Sequence, residues 1–130
     1  MSVYVVDTHA LAWYLSGSPL LGDEGRDLLD KATRGECQII IPAIVIAELV
    51  MLVERRRAFI DLSAVIAKLR EYPTFRLTSL TPEIVLYSQN LPGLPDIHDR
   101  LIAAEAKYED AGLITRDQSL TESGIVSTIW

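Results

Sequence analysis

The chain has 130 residues, of which 49% are hydrophobic and 23% charged, with a formal net charge of −6 at pH 7. That size and balance describe one soluble globular domain, residues 1–130, with enough chain to bury a core. The negative charge argues against a non-specific nucleic-acid binder, which normally needs a basic face. It leaves open an enzyme acting on nucleic acid, since a carboxylate site is acidic and a divalent cation reverses its local sign. The lone cysteine, Cys37, allows no internal disulfide and fits a reducing, cytoplasmic setting. No signal peptide is expected, because the first residues combine neither a basic region nor a long apolar segment. Ile39 to Val53 is apolar but carries Pro42 and Glu48 and falls short of the roughly 20 residues a membrane span requires, so no membrane association is expected.

Val3-Tyr4-Val5-Val6 reads as a strand buried on both faces, the kind found inside a parallel sheet. Asp7 and Thr8 follow, and a helix begins at His9-Ala10-Leu11. Either residue can cap that helix, while Asp7 also stands where open α/β sheets bind ligands, beyond a strand's carboxyl end. Ser16 to Pro19 is a turn. Asp23 to Arg34 is a polar helix with Leu21, Leu28, Leu29 and Ala32 inward. Gln38-Ile39-Ile40-Ile41 is a second buried strand, Pro42 suits a first helical turn, and Ala43 to about Arg55 continues as helix. Glu48 is the one polar residue between Ala43 and Val53. A helix apolar all round is expected to be buried on most sides, so Glu48 is protonated, paired or bound to metal, unless it points through a gap to solvent or meets an arginine.

Arg55-Arg56-Arg57 complements the dipole at that helix's end; a phosphate-contacting patch is the alternative. Asp61 to Glu71 is an amphipathic helix stopped by Pro73. Phe75 to Thr78 is a strand, and Thr81-Pro82 opens a helix carrying Ile84, Leu86 and Tyr87. The Pro/Gly-rich segment Leu91 to Pro95 delivers Asp96-Ile97-His98-Asp99, and a helix running to about Asp110 follows. Asp96 is the better cap; Asp99 lies one turn in, ahead of the apolar run Leu101 to Ala104. Gly112 is the expected stop. Leu113-Ile114-Thr115 is a strand ending on the polar cluster Arg116 to Ser119, and Ile125 to Trp130 a final edge strand.

Strands alternate with helices throughout, which implies a three-layer α/β/α fold with a central, mostly parallel sheet. In such a sheet Asp7, Glu48, Asp99 and Asp117 all fall at the carboxyl end. Hard oxygen ligands without His or Cys select Mg²⁺ or Mn²⁺ over zinc. Such a cluster suits in-line displacement at a phosphate by a metal-activated water. His9 and His98 have no zinc spacing and read as surface or supporting residues.

Val5-Val6-Asp7-Thr8-His9-Ala10-Leu11, the lone Glu48, Asp99-Arg100-Leu101-Ile102-Ala103-Ala104 and Thr115-Arg116-Asp117 together resemble the PIN-domain family, in order and across essentially the whole chain. Within it the chain is most similar to the VapC-type toxins of toxin–antitoxin pairs. The resemblance implies a Mg²⁺- or Mn²⁺-dependent endoribonuclease with Asp7, Glu48, Asp99 and Asp117 as its acidic, metal-binding site. Thr8 and Thr115 would support it, Thr115 by orienting a carboxylate or water. Asp96 is an alternative third acid, although the Leu-Ile-Ala-Ala after Asp99 favours Asp99. The resemblance also implies an RNA substrate, a cognate antitoxin and a homodimer. Two rivals are a catalytically inactive PIN-like binding or scaffold protein and a phosphoacceptor α/β module. The second is disfavoured because Asp7 has no acidic neighbour and Leu113 to Asp117 contains no Lys.

Overall fold

Short runs of β-branched and aliphatic residues form five strands: β1 (Val3–Val6), β2 (Gln38–Pro42), β3 (Phe75–Thr78), β4 (Gly112–Ile114) and β5 (Thr128–Ile129). The computed structural model describes residues 1–130. Its strands make one sheet of order β3-β2-β1-β4-β5, with every neighbouring pair parallel. Val5 lies opposite Ile40 on one side and Leu113 on the other. Val5, Val6, Ile39, Ile40, Ile41, Leu113 and Ile114 are completely buried, each worth about 1.5–3 kcal/mol of hydrophobic stabilisation. Val3 and Tyr4 are only half-buried, so the first strand enters the core through its second half.

Between the strands run α1 (Thr8–Ser16), α2 (Asp23–Thr33), α3 (Ala43–Glu54), α4 (Leu62–Leu69), α5 (Pro82–Tyr87), α6 (Ile97–Tyr108) and α7 (Gln118–Ser123). The chain steps from β1 to β2 to β3 in one direction, then returns to lay β4 on the far side of β1. Right-handed crossovers place the helices before and after that reversal on opposite faces of the sheet. The reversal makes the β1/β4 boundary a topological switch point, where two crossovers diverge and leave a crevice at the carboxyl ends. No helix is long and apolar enough to cross a membrane.

Three expectations need correction. Helix α3 is not buried on most sides: only Val45 and Leu49 are buried, while Val50 and Met51 are 39% and 44% exposed. Apolar composition therefore marks an uncovered face here rather than a deeper position in the core. Pro42 is the last residue of β2 and the extended N-cap of α3, not part of its first turn. Helix α6 stops at Tyr108, and Asp110 rather than a glycine takes the left-handed turn, at φ 51°. Gly112 instead opens β4, where an added Cβ would stand 2.9 Å from Ile129 Cδ1 and 3.0 Å from Tyr4 Cδ1. Helix α7, hidden in the polar run after Asp117, has one buried side chain, Leu120, and hence no apolar periodicity to announce it.

Candidate active site

Asp7 leaves β1 with its backbone N–H still donating to Ile114 O of β4 at 3.1 Å, so the residue is pinned across the switch point. It both caps a helix and enters the cleft. Its Oδ1 accepts Ala10 N–H of α1 at 2.9 Å, and its Oδ2 accepts the hydroxyl of Thr115. Thr115 is buried just after β4, and its Oγ1 in turn accepts the backbone N–H of Asp117 at 3.0 Å. One hydroxyl thus ties together the ends of β1 and β4 and the acids that follow them. Asp117 caps α7 through Leu120 N–H at 2.9 Å.

Glu48 arrives from α3. Its Oε1 accepts the hydroxyl of Thr8 at 2.8 Å, and its Oε2 lies 3.4 Å from His98 Nδ1. With its side chain 29% exposed, Glu48 looks into the cleft and not into a wholly apolar interior. Asp96 caps α6 by accepting Asp99 N–H at 3.0 Å, as expected of the residue before the first turn. Arg100 steadies that helix start by donating from Nε to Leu94 O at 2.6 Å in the preceding segment.

These residues border one open cleft of about 350 Å³, lined by Asp7, Thr8, Glu48, Asp96, Asp99 and Asp117 together with His9, Trp13, His98, Ile102 and Arg116. All five acids singled out in the sequence meet there, with Thr115 beneath them. The electrostatics report the crowding. Burial and then the charges of Asp117, Asp96, Glu48 and Asp7 push the Asp99 carboxyl up to about 6. Burial also raises Asp7, against the opposing pull of the Thr115 hydroxyl, the Ala10 N–H and His9. In this arrangement no three His, Cys, Asp or Glu side chains converge on a single metal-ion position. The donor chemistry nevertheless suits a hard divalent cation: the acids offer oxygen only, and the like-charge stress on Asp99 is what a cation relieves.

The reading of the acids passed over the opposite wall. His9 and Trp13 are four residues apart on α1, share a face and pack with ring centroids 5.4 Å apart and planes tilted by 50°. Over Trp13 lies the guanidinium of Arg116, 4.5 Å from the ring centroid. The available signals were the i,i+4 spacing and the position of Arg116 between Thr115 and Asp117. Another acid, Glu105, is buried away from the cleft and accepts the Thr78 hydroxyl at 2.6 Å.

The model of the PIN domain family matches residues 4–124. The chain belongs to the PIN domain family. The matched span 4–124 contains Asp7, Glu48, Asp96, Asp99 and Asp117, the acids that border the cleft. Among solved structures this PIN domain is similar to VapBC2 of Rickettsia felis, bound to a promoter DNA fragment, with 18% identity, 98% of this chain and 97% of that one covered, and a TM-score of 0.70. A Klebsiella pneumoniae toxin–antitoxin complex gives 20% identity, 100% and 97% coverage, and a TM-score of 0.70. VapC20 of Mycobacterium tuberculosis, a toxin that cleaves the sarcin–ricin loop, gives 16% identity, 95% and 96% coverage, and 0.69. At these identities the likeness establishes a shared fold. No curated protein matches the chain.

Proposed function

We propose that this PIN domain is a divalent-metal-dependent endoribonuclease and the toxin of a toxin–antitoxin pair. The observation that carries the reading is the meeting of Asp7, Glu48, Asp99 and Asp117, from four separate elements, in one cleft at the switch point. Asp7, Asp99 and Asp117 would hold Mg²⁺ or Mn²⁺, with Glu48 beside them; Asp96, committed to its helix cap, stands at the rim. A bound cation supplies charge neutralisation at the phosphate and lowers the pKa of water, for about several kcal/mol of transition-state stabilisation.

The protein's own contribution is orientation. Thr115 holds Asp7 with one oxygen turned to the hydroxyl and keeps Asp117 in register, while Thr8 fixes Glu48. In the absence of a cation, burial and the neighbouring acids raise Asp99 to about 6, a stress that a bound divalent ion would relieve. An antitoxin and a second copy of the chain are partners of the same proposal. Apolar surface supports them: Phe59 is 87% exposed, and Val85, Leu86 and Ile97 are exposed on and near α5 and α6.

The test is cleavage of RNA by purified protein with Mg²⁺ or Mn²⁺, abolished by a chelator and by Asp99→Asn. Expression alone should slow growth, and Asp7→Asn should relieve that at an unchanged level of soluble protein. Undiminished cleavage by metal-free protein would remove the metal from the mechanism. Intact RNA under every metal condition would leave a binding or scaffold protein.

A further inference from the structure

We propose that Trp13, flanked by His9 and Arg116, is a stacking platform for a nucleobase of single-stranded RNA, and that Arg57 holds a backbone phosphate farther along the same strand. This deepens the ribonuclease reading and rests on it. The acids bind the reacting phosphate, yet their field repels the rest of a polyanion, so the strand needs attachment beside them. The cleft supplies one arginine for that purpose, Arg116, and one large aromatic surface, Trp13.

The aromatic wall continues past the acids. His9 and Trp13 also line a second cavity of about 250 Å³, whose one cationic side chain is Arg57. The two cavities therefore share a wall, with an arginine on each side of it. Arg57 reaches this place through its backbone. After α3 the chain turns at Arg56, φ 56°, with Arg57 N–H bonding back to Leu52 O at 2.8 Å and Arg56 N–H to Val53 O at 3.1 Å. That two-bond helix ending brings the residue after the left-handed turn back toward the helix, and here it sets Arg57 beside α1. The arginine run thus does more than complement a dipole: its third member borders the track.

Trp13 is held as a platform must be. Trp130 packs against its edge, with centroids 5.7 Å apart at 74°. Trp130 is in turn seated on Gly22, where an added Cβ would stand 2.5 Å from its carbonyl carbon. The exposed Arg116 guanidinium covers a Trp13 face at 4.5 Å, so a base takes its place there or stacks on this cation–π pair. A packing role alone explains the contact with Trp130. Arg116 joins that packing, 5.9 Å from the Trp130 centroid, but packing does not explain why the Trp13 ring lines two cavities.

The experiment compares binding of a short oligoadenylate with an abasic ribose-phosphate oligomer of equal length. It is done in an Asp7→Asn background that does not cleave. Oligoadenylate should bind more tightly, and Trp13→Ala should shrink that preference by roughly 5- to 150-fold, with Trp13→Phe keeping most of it. Arg57→Gln should weaken both oligomers alike and lower the slope of log affinity against log salt by about 0.7. In a Trp130→Phe protein, where Trp13 is the only tryptophan, oligoadenylate should quench its fluorescence and the abasic oligomer should not; this readout needs no truncation of Trp13. A base preference that survives Trp13→Ala, an unchanged salt slope in Arg57→Gln, or base-independent quenching overturns the proposal. Failure of wild type to cleave any RNA overturns the ribonuclease reading separately, because the binding comparisons do not depend on cleavage.

Discussion

Neutralising Asp99 should stabilise the metal-free protein at neutral pH, in proportion to the strain its charge now carries. Its carboxyl is pushed up to about 6, from an ordinary value of 3.8, by burial and then by Asp117, Asp96, Glu48 and Asp7. A raised value means that the native state binds more protons than the unfolded one. The stabilisation is therefore complete below about 4 and is lost as pH rises through about 6. With a discount for water at the open cleft, ionisation of Asp99 costs the fold about 1–2 kcal/mol at pH 7.5. For a domain of this size that is about 4–7 °C in Tm. Asp99→Asn should accordingly melt about that much higher than wild type at pH 7.5 in chelator, and the two should converge near pH 4. Excess Mg²⁺ or Mn²⁺ should then raise wild type by mass action, about 2.7 kcal/mol at one hundred times the dissociation constant, and raise the variant less. The assay is a set of thermal melts at pH 4 and 7.5, with chelator and with metal. Parallel curves for the two proteins across pH, together with equal metal-induced shifts, would refute the idea that these acids crowd one another around a cation site.

Asp96→Asn should keep cleavage and lose no more than a few tenths of a kcal/mol, since Asn also caps, whereas Asp96→Ala should lose about 1 kcal/mol in urea melts. A cleavage-dead Asp96→Asn would make Asp96 the metal ligand. Thr115→Val removes the donor to Asp7 and the acceptor for Asp117 N–H in one step; about 1–3 kcal/mol of stability should go, and RNA cleavage should fall more than in a surface Thr→Val control. Glu105→Gln replaces a buried acid whose value is raised chiefly by desolvation, against the Thr78 hydroxyl. Wild type should lose that contribution as pH rises above the ordinary glutamate range, so the variant should match or exceed wild-type stability at pH 8 with cleavage unchanged. A loss of several kcal/mol at pH 8 in denaturant titrations would show that the charged form is needed.

Much of the site was legible in the residues because its chemistry is local. Asp7 and Asp117 each follow a strand, and Asp7 also opens a readable helix; the helix that Asp117 caps left no such mark. Asp96 was readable as the cap of α6, since a cap precedes the first turn. Glu48 was found by its isolation among apolar neighbours, but the inferred surroundings were wrong. Composition cannot tell an apolar face packed on a core from one left uncovered, and α3 carries both.

The sequence by itself determined the alternation of strands and helices, the parallel sheet and the placing of the acids at its carboxyl end, because period, capping and the right-handed crossover are short-range or chiral rules. The tertiary structure alone decided which ends meet. Thr115 reaches Asp7 across 108 residues, and Thr8 reaches Glu48 across 40. Those pairings follow from the strand order, in which β4 returns to the side of β1 after two steps the other way. The same return sets Arg116 on Trp13 and builds the aromatic wall, a contact between distant segments for which no local pattern exists.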